Sequence, residues 1–183
     1  PPPAAAELTA TPFFPQREFE CGPAALATVL AASGVPVTAD QLTGDVYIPD
    51  RRGSLQAEML AAARRRGRIA YPVQGLADMV AQLRTGLPVV VLQRLGTWPL
   101  QTWHYAVVIG YEPTPRQLVL RSGTERRLVL DQATFQRSWA PGGEWAFVAL
   151  RPGQLPAQAD AQRYLGAVAA AESMLTAAQR AAA

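Results

Sequence analysis

The first half of the chain carries apolar residues at helical spacing. From residue 24 to residue 32, Leu26, Val29 and Leu30 fall on one face and alanines fill the positions between them, as in a helix with one buried face. Shorter stretches repeat this pattern, and Thr38 and Ser54 precede two of them as N-caps. The predicted helices cover residues 24–32, 38–42, 55–66 and 75–83.

The second half of the chain has the patterns of β-strands. Residues 87–92 form a continuous apolar run and residues 104–111 form another, which is typical of buried strands. The predicted strands cover residues 68–73, 87–92, 104–111, 117–121, 125–130 and 145–151, with a short helix from an Asp131 cap to Trp139 before the last one. The order of elements therefore predicts an α+β fold, with a helical N-terminal half packed on an antiparallel β-sheet half.

Two internal segments show no apolar period. Residues 44–53 contain Pro49 and several charges, and residues 94–101 contain Trp98 and Pro99; both segments are predicted to be loops. The apolar residues of the second loop either line a substrate groove or cover the core.

The two ends of the chain differ from its middle in composition. Residues 1–11 are rich in Pro and Ala and are predicted to be a flexible leader, which makes residues 12–152 the main domain. Residues 157–183 are Ala-rich with apolar residues at helical spacing, so a separate C-terminal helix is expected. That helix either docks on the domain or begins an array of helical repeats.

Composition limits the classes of partner. With 183 residues, 49% hydrophobic residues and 17% charged residues, the chain has the composition of a globular domain with a real core. The net charge is +3, and all 17 basic residues are arginines scattered along the chain. A nucleic-acid-binding surface has denser basic tracts with aromatic residues between them, so no nucleic-acid partner is expected.

The single cysteine lies at the predicted start of the first helix. Cys21 precedes Gly22-Pro23, and proline is favoured in a first helical turn. Free N–H groups and the helix dipole at this position favour a thiolate and can stabilise an oxyanion, for which Gln16, five residues upstream, offers a second donor. The alternative is a small buried apolar residue, which is a common role for a free cysteine.

The single histidine begins a predicted strand. His104 precedes Tyr105 and the apolar run that follows. A thiol nucleophile needs an imidazole to take its proton and return it to the leaving group, so Cys21 and His104 are candidate catalytic partners. A structural role for a lone histidine is the competing interpretation. One cysteine and one histidine are too few ligands for a structural zinc site, so neither a metal nor a cofactor is expected.

Together, Gln16, the run from Glu20 to Leu26 and the run from His104 to Tyr111 resemble the peptidase C39 family of papain-like cysteine peptidases. The separation between Cys21 and His104 is also similar to that family's. The resemblance implies a papain-like fold in which Cys21 is the nucleophile, His104 the general base and acid, and Gln16 an oxyanion donor. Its best-known members cleave leader peptides after a Gly-Gly pair, often as domains of exporters.

The family's third catalytic residue, an Asp or Asn that orients the histidine, has no counterpart here. Its position falls at about Ser122, while Asp131 lies one strand later and is better explained as a helix cap. A serine hydroxyl can hold one imidazole tautomer but supplies no negative charge. The sequence therefore predicts a weakened or substrate-restricted enzyme with Ser122 as the tentative third member.

Three functions are compatible with these residues. The favoured one is a C39-type cysteine peptidase acting on a peptide or protein substrate, with cleavage after a Gly-Gly type site. The alternatives are an inactive module that binds peptides or proteins on the same fold, and acyl transfer other than hydrolysis. Expected locations are the bacterial periplasm or cell envelope, with a membrane tether through a preceding segment, or otherwise the cytoplasm. The C-terminal helical region is a candidate site for a protein partner.

Overall fold

The structure is a computed structural model that describes residues 5–17, 20–48 and 53–181. Its helices are α1 (Cys21–Ala32), α2 (Ala39–Val46), α3 (Gln56–Arg65), α4 (Gly75–Arg84), α5 (Gln132–Trp139) and α6 (Ala161–Ala181). Its strands are β1 (Ala6–Glu7), β2 (Tyr47–Ile48), β3 (Gly53–Ser54), β4 (Ile69–Pro72), β5 (Val89–Leu95), β6 (Thr102–Pro113), β7 (Arg116–Ser122), β8 (Glu125–Asp131) and β9 (Ala146–Leu150).

One antiparallel sheet organises the molecule. Its strand order is β4-β9-β5-β6-β7-β8, and β1 adds to β6 beyond the end of β5. Strands β2 and β3 form a separate small hairpin. The four helices predicted from apolar spacing in the first half of the chain are all present, so the predicted α+β arrangement of a helical half on an antiparallel sheet is confirmed.

Helices cover both faces of this sheet and create two apolar cores. On one face, α1 packs Leu26 and Leu30 against the strand residues Val107 and Ile109. On the other face, a second cluster contains the large buried ring of Trp139 from α5 together with residues of α4 and α6. Because β5, β6 and β9 are buried on both faces, they are almost continuously apolar.

The N-terminal segment corrects the prediction of a flexible leader over residues 1–11. Residues 6 and 7 pair with β6, the N–H of Leu8 donates to the carbonyl of Ile109 at 2.8 Å, and Thr11 is buried. The close approach depends on Gly110, because a Cβ there would lie 2.9 Å from the carbonyl oxygen of Ala6. Residues 1–4 of the predicted leader lie outside the described residues.

Three further expectations need correction. Helix α2 extends past residue 42 to Val46, and β2 and β3 occupy part of the predicted loop over residues 44–53, of which residues 49–52 lie outside the described part. Ser54 belongs to β3 and does not cap α3, whose N-cap is Leu55.

The C-terminal helix docks on the domain. It begins at Ala161 rather than residue 157, and Ala167 and Ala171 are buried against the α4–α5 side of the sheet. Arg163 binds Asp78 of α4 at 2.7 Å and lies over the ring of Tyr71 at 5.0 Å. Of the two alternatives for this helix, the structure has the docked one. Within the described residues, no helix combines the length and apolarity needed to span a membrane.

Candidate active site

Cys21 is the first residue of α1. Its N-cap, Glu20, makes no side-chain capping hydrogen bond, so the first N–H groups of the helix are not taken by a cap. Gly22 allows the β2–β3 hairpin to approach closely, because a Cβ there would overlap the Ser54 side chain. The predicted helix start at Cys21-Gly22-Pro23 therefore packs against the β2–β3 hairpin. This hairpin was not predicted from the sequence.

The Cys21 thiol is half-buried and packs against the core on the α1 side of the sheet. Burial raises its pKa above the ordinary thiol value, since desolvation disfavours the thiolate. The backbone N–H groups of Tyr105, Gly22 and Cys21 itself act in the opposite direction. The Tyr105 N–H is the notable one, because it belongs to the residue that follows His104 in β6. In the resting protein, burial dominates and the neutral thiol is favoured.

His104 lies near the start of β6, opposite Gln93 of β5. Its Nε2 atom is 2.9 Å from the Ser122 Oγ at the end of β7, so the residue predicted as the tentative third member contacts the ring. Burial lowers the pKa of the imidazole to about 4, because no negative charge compensates its desolvation. His104 is therefore neutral at physiological pH.

Cys21 and His104 are brought to the same strand segment without a direct bond. No side-chain hydrogen bond joins the thiol to the ring among the described residues. Ser122 occupies Nε2, so Nδ1 is the ring nitrogen left for a thiol proton. Both groups are therefore neutral at rest, and no thiolate–imidazolium ion pair is preformed.

Gln16 lies beside the strand end that carries Ser122. Its backbone N–H donates to the carbonyl of Gly123 at 3.1 Å, and its side chain lines a cavity of about 10 Å³ together with Cys21. The Gln16 Oε1 is buried without a hydrogen-bond partner among the described residues. The structure thus brings Gln16, Cys21, His104 and Ser122 into one region between α1 and the ends of β6 and β7.

Two residues of this region were not identified from the sequence. The Tyr105 hydroxyl donates to the carbonyl of Ser54 at 3.0 Å, and both burial and the nearby Cys21 raise the pKa of this phenol. Arg121 lines the same small cavity as Cys21 and Gln16. Each carried a signal in the sequence, because Tyr105 directly follows the histidine and Arg121 is the one charge inside the apolar run of β7.

A groove extends from Tyr105 away from the small cavity. It has a volume of about 390 Å³ and is lined by Leu55, Leu92 and Trp103 among others. The 94–101 segment, which precedes β6, does not cover the core, because Trp98 is 84% exposed and Leu100 is 81% exposed. Of the two alternatives for the 94–101 segment, covering the core is therefore wrong, and none of its residues lines this groove. Among the described residues, no group of three or more His, Cys, Asp and Glu side chains is placed to hold a metal ion.

Comparisons with known proteins bear on the family and the fold. The model of the peptidase C39 like family matches residues 9–146, which include all four candidate residues. A comparison with curated proteins found no match.

Three solved structures share the fold. A candidate C39-like peptidase from Bacillus anthracis is 16% identical with a TM-score of 0.64, covering 81% of this chain and 98% of that one. The peptidase domain of Streptococcus ComA, a bifunctional ABC transporter involved in quorum sensing, is 24% identical with a TM-score of 0.60, covering 77% and 99%. A double-glycine-motif protease from an AMS/PCAT transporter, in complex with its leader peptide, is 19% identical with a TM-score of 0.54, covering 81% and 94%. These likenesses identify the fold as that of C39 peptidases, which is papain-like.

Proposed function

The chain belongs to the peptidase C39 like family, and we propose that it is a cysteine peptidase that uses Cys21, His104 and Gln16. The observation that carries the proposal is that the start of α1, with Cys21, meets the start of β6, with His104, at one site. The thiol at the start of α1 faces the backbone N–H of Tyr105, and the adjacent imidazole is held by Ser122 at 2.9 Å. His104 belongs to neither apolar core, and Cys21 only packs against the edge of one of them, so packing alone does not account for this pair.

The chemistry follows from these positions. His104 Nδ1 takes the thiol proton as the Cys21 sulfur attacks the peptide carbonyl carbon, and the carbonyl oxygen becomes an oxyanion. The backbone N–H of Cys21 and the Gln16 amide donate to that oxyanion. When the C–N bond breaks, the imidazolium returns its proton to the leaving amine, and a thioester remains. Water then attacks the thioester with His104 as base, which releases the acid and restores the thiol.

We expect the enzyme to be slow because Ser122 takes the place of an orienting carboxylate. If the Nε2–H donates to the serine oxygen, Nδ1 has the free lone pair that the mechanism needs. If the serine hydroxyl donates to Nε2 instead, the proton lies on Nδ1 and the ring cannot accept the thiol proton. A carboxylate accepts only and so enforces the first arrangement, whereas a hydroxyl permits both.

The substrate is a peptide in this proposal, with a Gly-Gly type site as the first sequence to test. One neighbour of the same fold is a double-glycine-motif protease in complex with its leader peptide. The groove is lined in part by apolar side chains and by Tyr105, whose backbone N–H contacts the Cys21 thiol. In this proposal it receives side chains of an extended peptide that flank the cleaved bond.

A second candidate function is a peptide-binding module without catalysis. It is favoured by the raised pKa of Cys21 and by the pKa of about 4 for His104, since both shifts stabilise neutral groups. In this alternative, the groove holds a peptide and the thiol does not react with it.

A peptide-cleavage screen separates the two functions. The protein is incubated with a peptide library that contains Gly-Gly and Gly-Ala versions of each sequence, and products are read by mass spectrometry. The peptidase proposal expects cleavage that is lost in Cys21→Ala and in His104→Ala, with both variants still folded. Peptide binding to Cys21→Ala together with no cleavage by the parent protein would instead support the binding module.

A further inference from the structure

A buried arginine lies behind the candidate oxyanion donor. Arg121 is only 6% exposed, and it follows the apolar core residues Val119 and Leu120 in the same strand. A charged side chain is therefore buried next to an apolar core. Its guanidinium donates to the carbonyls of Thr9 at 3.1 Å and Thr11 at 2.9 Å and also to the carbonyl of Arg126. Burying a charged group costs free energy unless hydrogen bonds compensate for lost hydration. The arginine therefore has partners on two segments, of which one leads to Gln16.

The segment from Thr9 to Gln16 is fixed at both of its ends by residues at and just after the C-terminal end of β7. Arg121 holds the carbonyls of Thr9 and Thr11, while the Gly123 carbonyl accepts from the Gln16 backbone N–H at 3.1 Å. Without these contacts, nothing in the regular sheet pairing would hold this segment beyond the two residues of β1. Phe14 also packs against the core on the α1 side, so Arg121 fixes the beginning of the segment, whereas Gly123 holds the Gln16 backbone directly.

The Gln16 side chain also shares an environment with the guanidinium. The Arg121 Nε and the Gln16 Oε1 are both buried without a hydrogen-bond partner among the described residues, and both residues line the cavity of about 10 Å³ beside Cys21. That volume accommodates about one water molecule. Because a guanidinium N–H can only donate, it favours the amide oxygen on its own side of the Gln16 side chain, which leaves the NH2 group on the other side.

We propose that Arg121 is a positioning residue for Gln16: it anchors the 9–16 segment and sets the amide orientation that presents the NH2 group to the oxyanion. The inference rests on the proposed function, because it assigns a task to the oxyanion donor of that reaction. Arg121 itself does not touch the substrate. It does not set the thiol pKa either, which is governed by burial and by backbone N–H groups.

Two reactions of Cys21 distinguish positioning from a general structural role. Acylation by p-nitrophenyl acetate forms a C–S bond to the acetyl carbon and breaks the ester C–O bond, and p-nitrophenolate leaves while His104 takes the thiol proton. This reaction passes through an oxyanion. Alkylation by iodoacetamide displaces iodide at a saturated carbon and forms no oxyanion. The ratio of the two rates therefore reports the oxyanion donors separately from the reactivity of the thiol.

The expected result is a selective loss. Gln16→Ala lowers the acylation rate about 100-fold or more, and Arg121→Lys, which keeps the charge but loses the Nε–H, lowers it about 10- to 100-fold. Neither changes the alkylation rate. In the double variant, Arg121→Lys adds nothing to Gln16→Ala. Arg127→Lys is the matched control, because Arg127 also joins the N-terminal segment to this hairpin, through Glu7 at 2.8 Å, but does not reach Gln16.

The outcomes separate the two proposals. If Gln16→Ala leaves acylation unchanged, the oxyanion role of Gln16 fails and this inference fails with it. If Gln16→Ala slows acylation but Arg121→Lys does not, or if the two effects add in the double variant, only the role of Arg121 is overturned. If Arg121→Lys does not fold, Gln16→Glu carries the test, because its carboxylate would pair with Arg121. That variant is expected to unfold at higher urea than Gln16→Ala, and an equal or lower midpoint overturns the inference.

Discussion

Replacing Ser122 by aspartate should convert the neutral Cys–His pair into a more reactive one. In the parent protein the Ser122 Oγ lies 2.9 Å from His104 Nε2, and the pKa of the imidazole is about 4 because burial is not compensated by charge. A carboxylate at that position would accept from Nε2 and stabilise the imidazolium. The same change fixes the proton on Nε2, which leaves Nδ1 free to receive the thiol proton.

The magnitude follows from the distance between the two groups. Unit charges about 4 Å apart interact by about 4 kcal/mol at an effective dielectric constant of 20, and a neighbouring opposite charge usually shifts a pKa by about 1 to 3 units. The pKa of His104 would therefore rise from about 4 to between about 5 and 7. Each unit corresponds to about 1.4 kcal/mol, so full expression in the transition state gives a rate increase of about 10- to 1,000-fold.

The assay is the pH dependence of Cys21 acylation and alkylation in the parent, Ser122→Asp, Ser122→Asn and Ser122→Ala. The asparagine variant can orient the ring but adds no charge, so it isolates orientation from electrostatics. Ser122→Asp is expected to react fastest at pH 7, and its acid limb should lie above that of the parent, because the base titrates at a higher pKa. A folded Ser122→Asp protein that reacts no faster than Ser122→Asn would refute the electrostatic argument.

Three further outcomes can be measured independently. In the parent, acylation should lose rate only below about pH 4, because His104 stays neutral above its lowered pKa; an acid limb near 6.5 would contradict this. Arg163→Met should lower the free energy of unfolding in urea by about 2 kcal/mol, while Arg17→Met, in an exposed ion pair, should lower it by less than about 1 kcal/mol; equal effects would argue against a docked α6. Gly110→Ala should cost about 1 to 3 kcal/mol because its Cβ would lie 2.9 Å from a carbonyl oxygen, whereas Gly44→Ala in α2, which has open space, should be neutral or stabilising.

Regular elements were predictable because their signal is local. The apolar run of residues 87–92 and the periodic stretch of residues 24–32 each bury a continuous face, and burial of that face decides the conformation. The same holds for the start of α1, where a proline in the first turn marks the helix N-terminus. Composition and spacing were sufficient for the fold class.

Elements held by distant partners were not predictable in this way. Strand β1 has two residues, and its pairing with β6 depends on a glycine about a hundred positions away that lets the chains approach. The Pro- and Ala-rich composition of residues 1–11 instead predicted a flexible segment. The prediction that Ser54 caps a helix was wrong for a related reason. Its local sequence is typical of an N-cap, but its hairpin packs against the start of α1, which is distant in sequence.

The candidate site shows the same division at the level of single residues. Cys21, His104 and Gln16 could be selected because their chemistry is distinctive and their order matches a family pattern. What the sequence left open is how His104 and the segment of Gln16 are held. Their contacts come from Arg121 and Ser122 at the end of β7 and from Gly123 just after it. Successive side chains of a strand point to opposite faces, so Arg121 can reach the N-terminal segment while Ser122 reaches the imidazole, and the carbonyl of Gly123 is left for the Gln16 backbone. A single strand end therefore contacts both the candidate base and the segment of the candidate oxyanion donor, and substitutions there are expected to alter the rate without altering the candidate nucleophile.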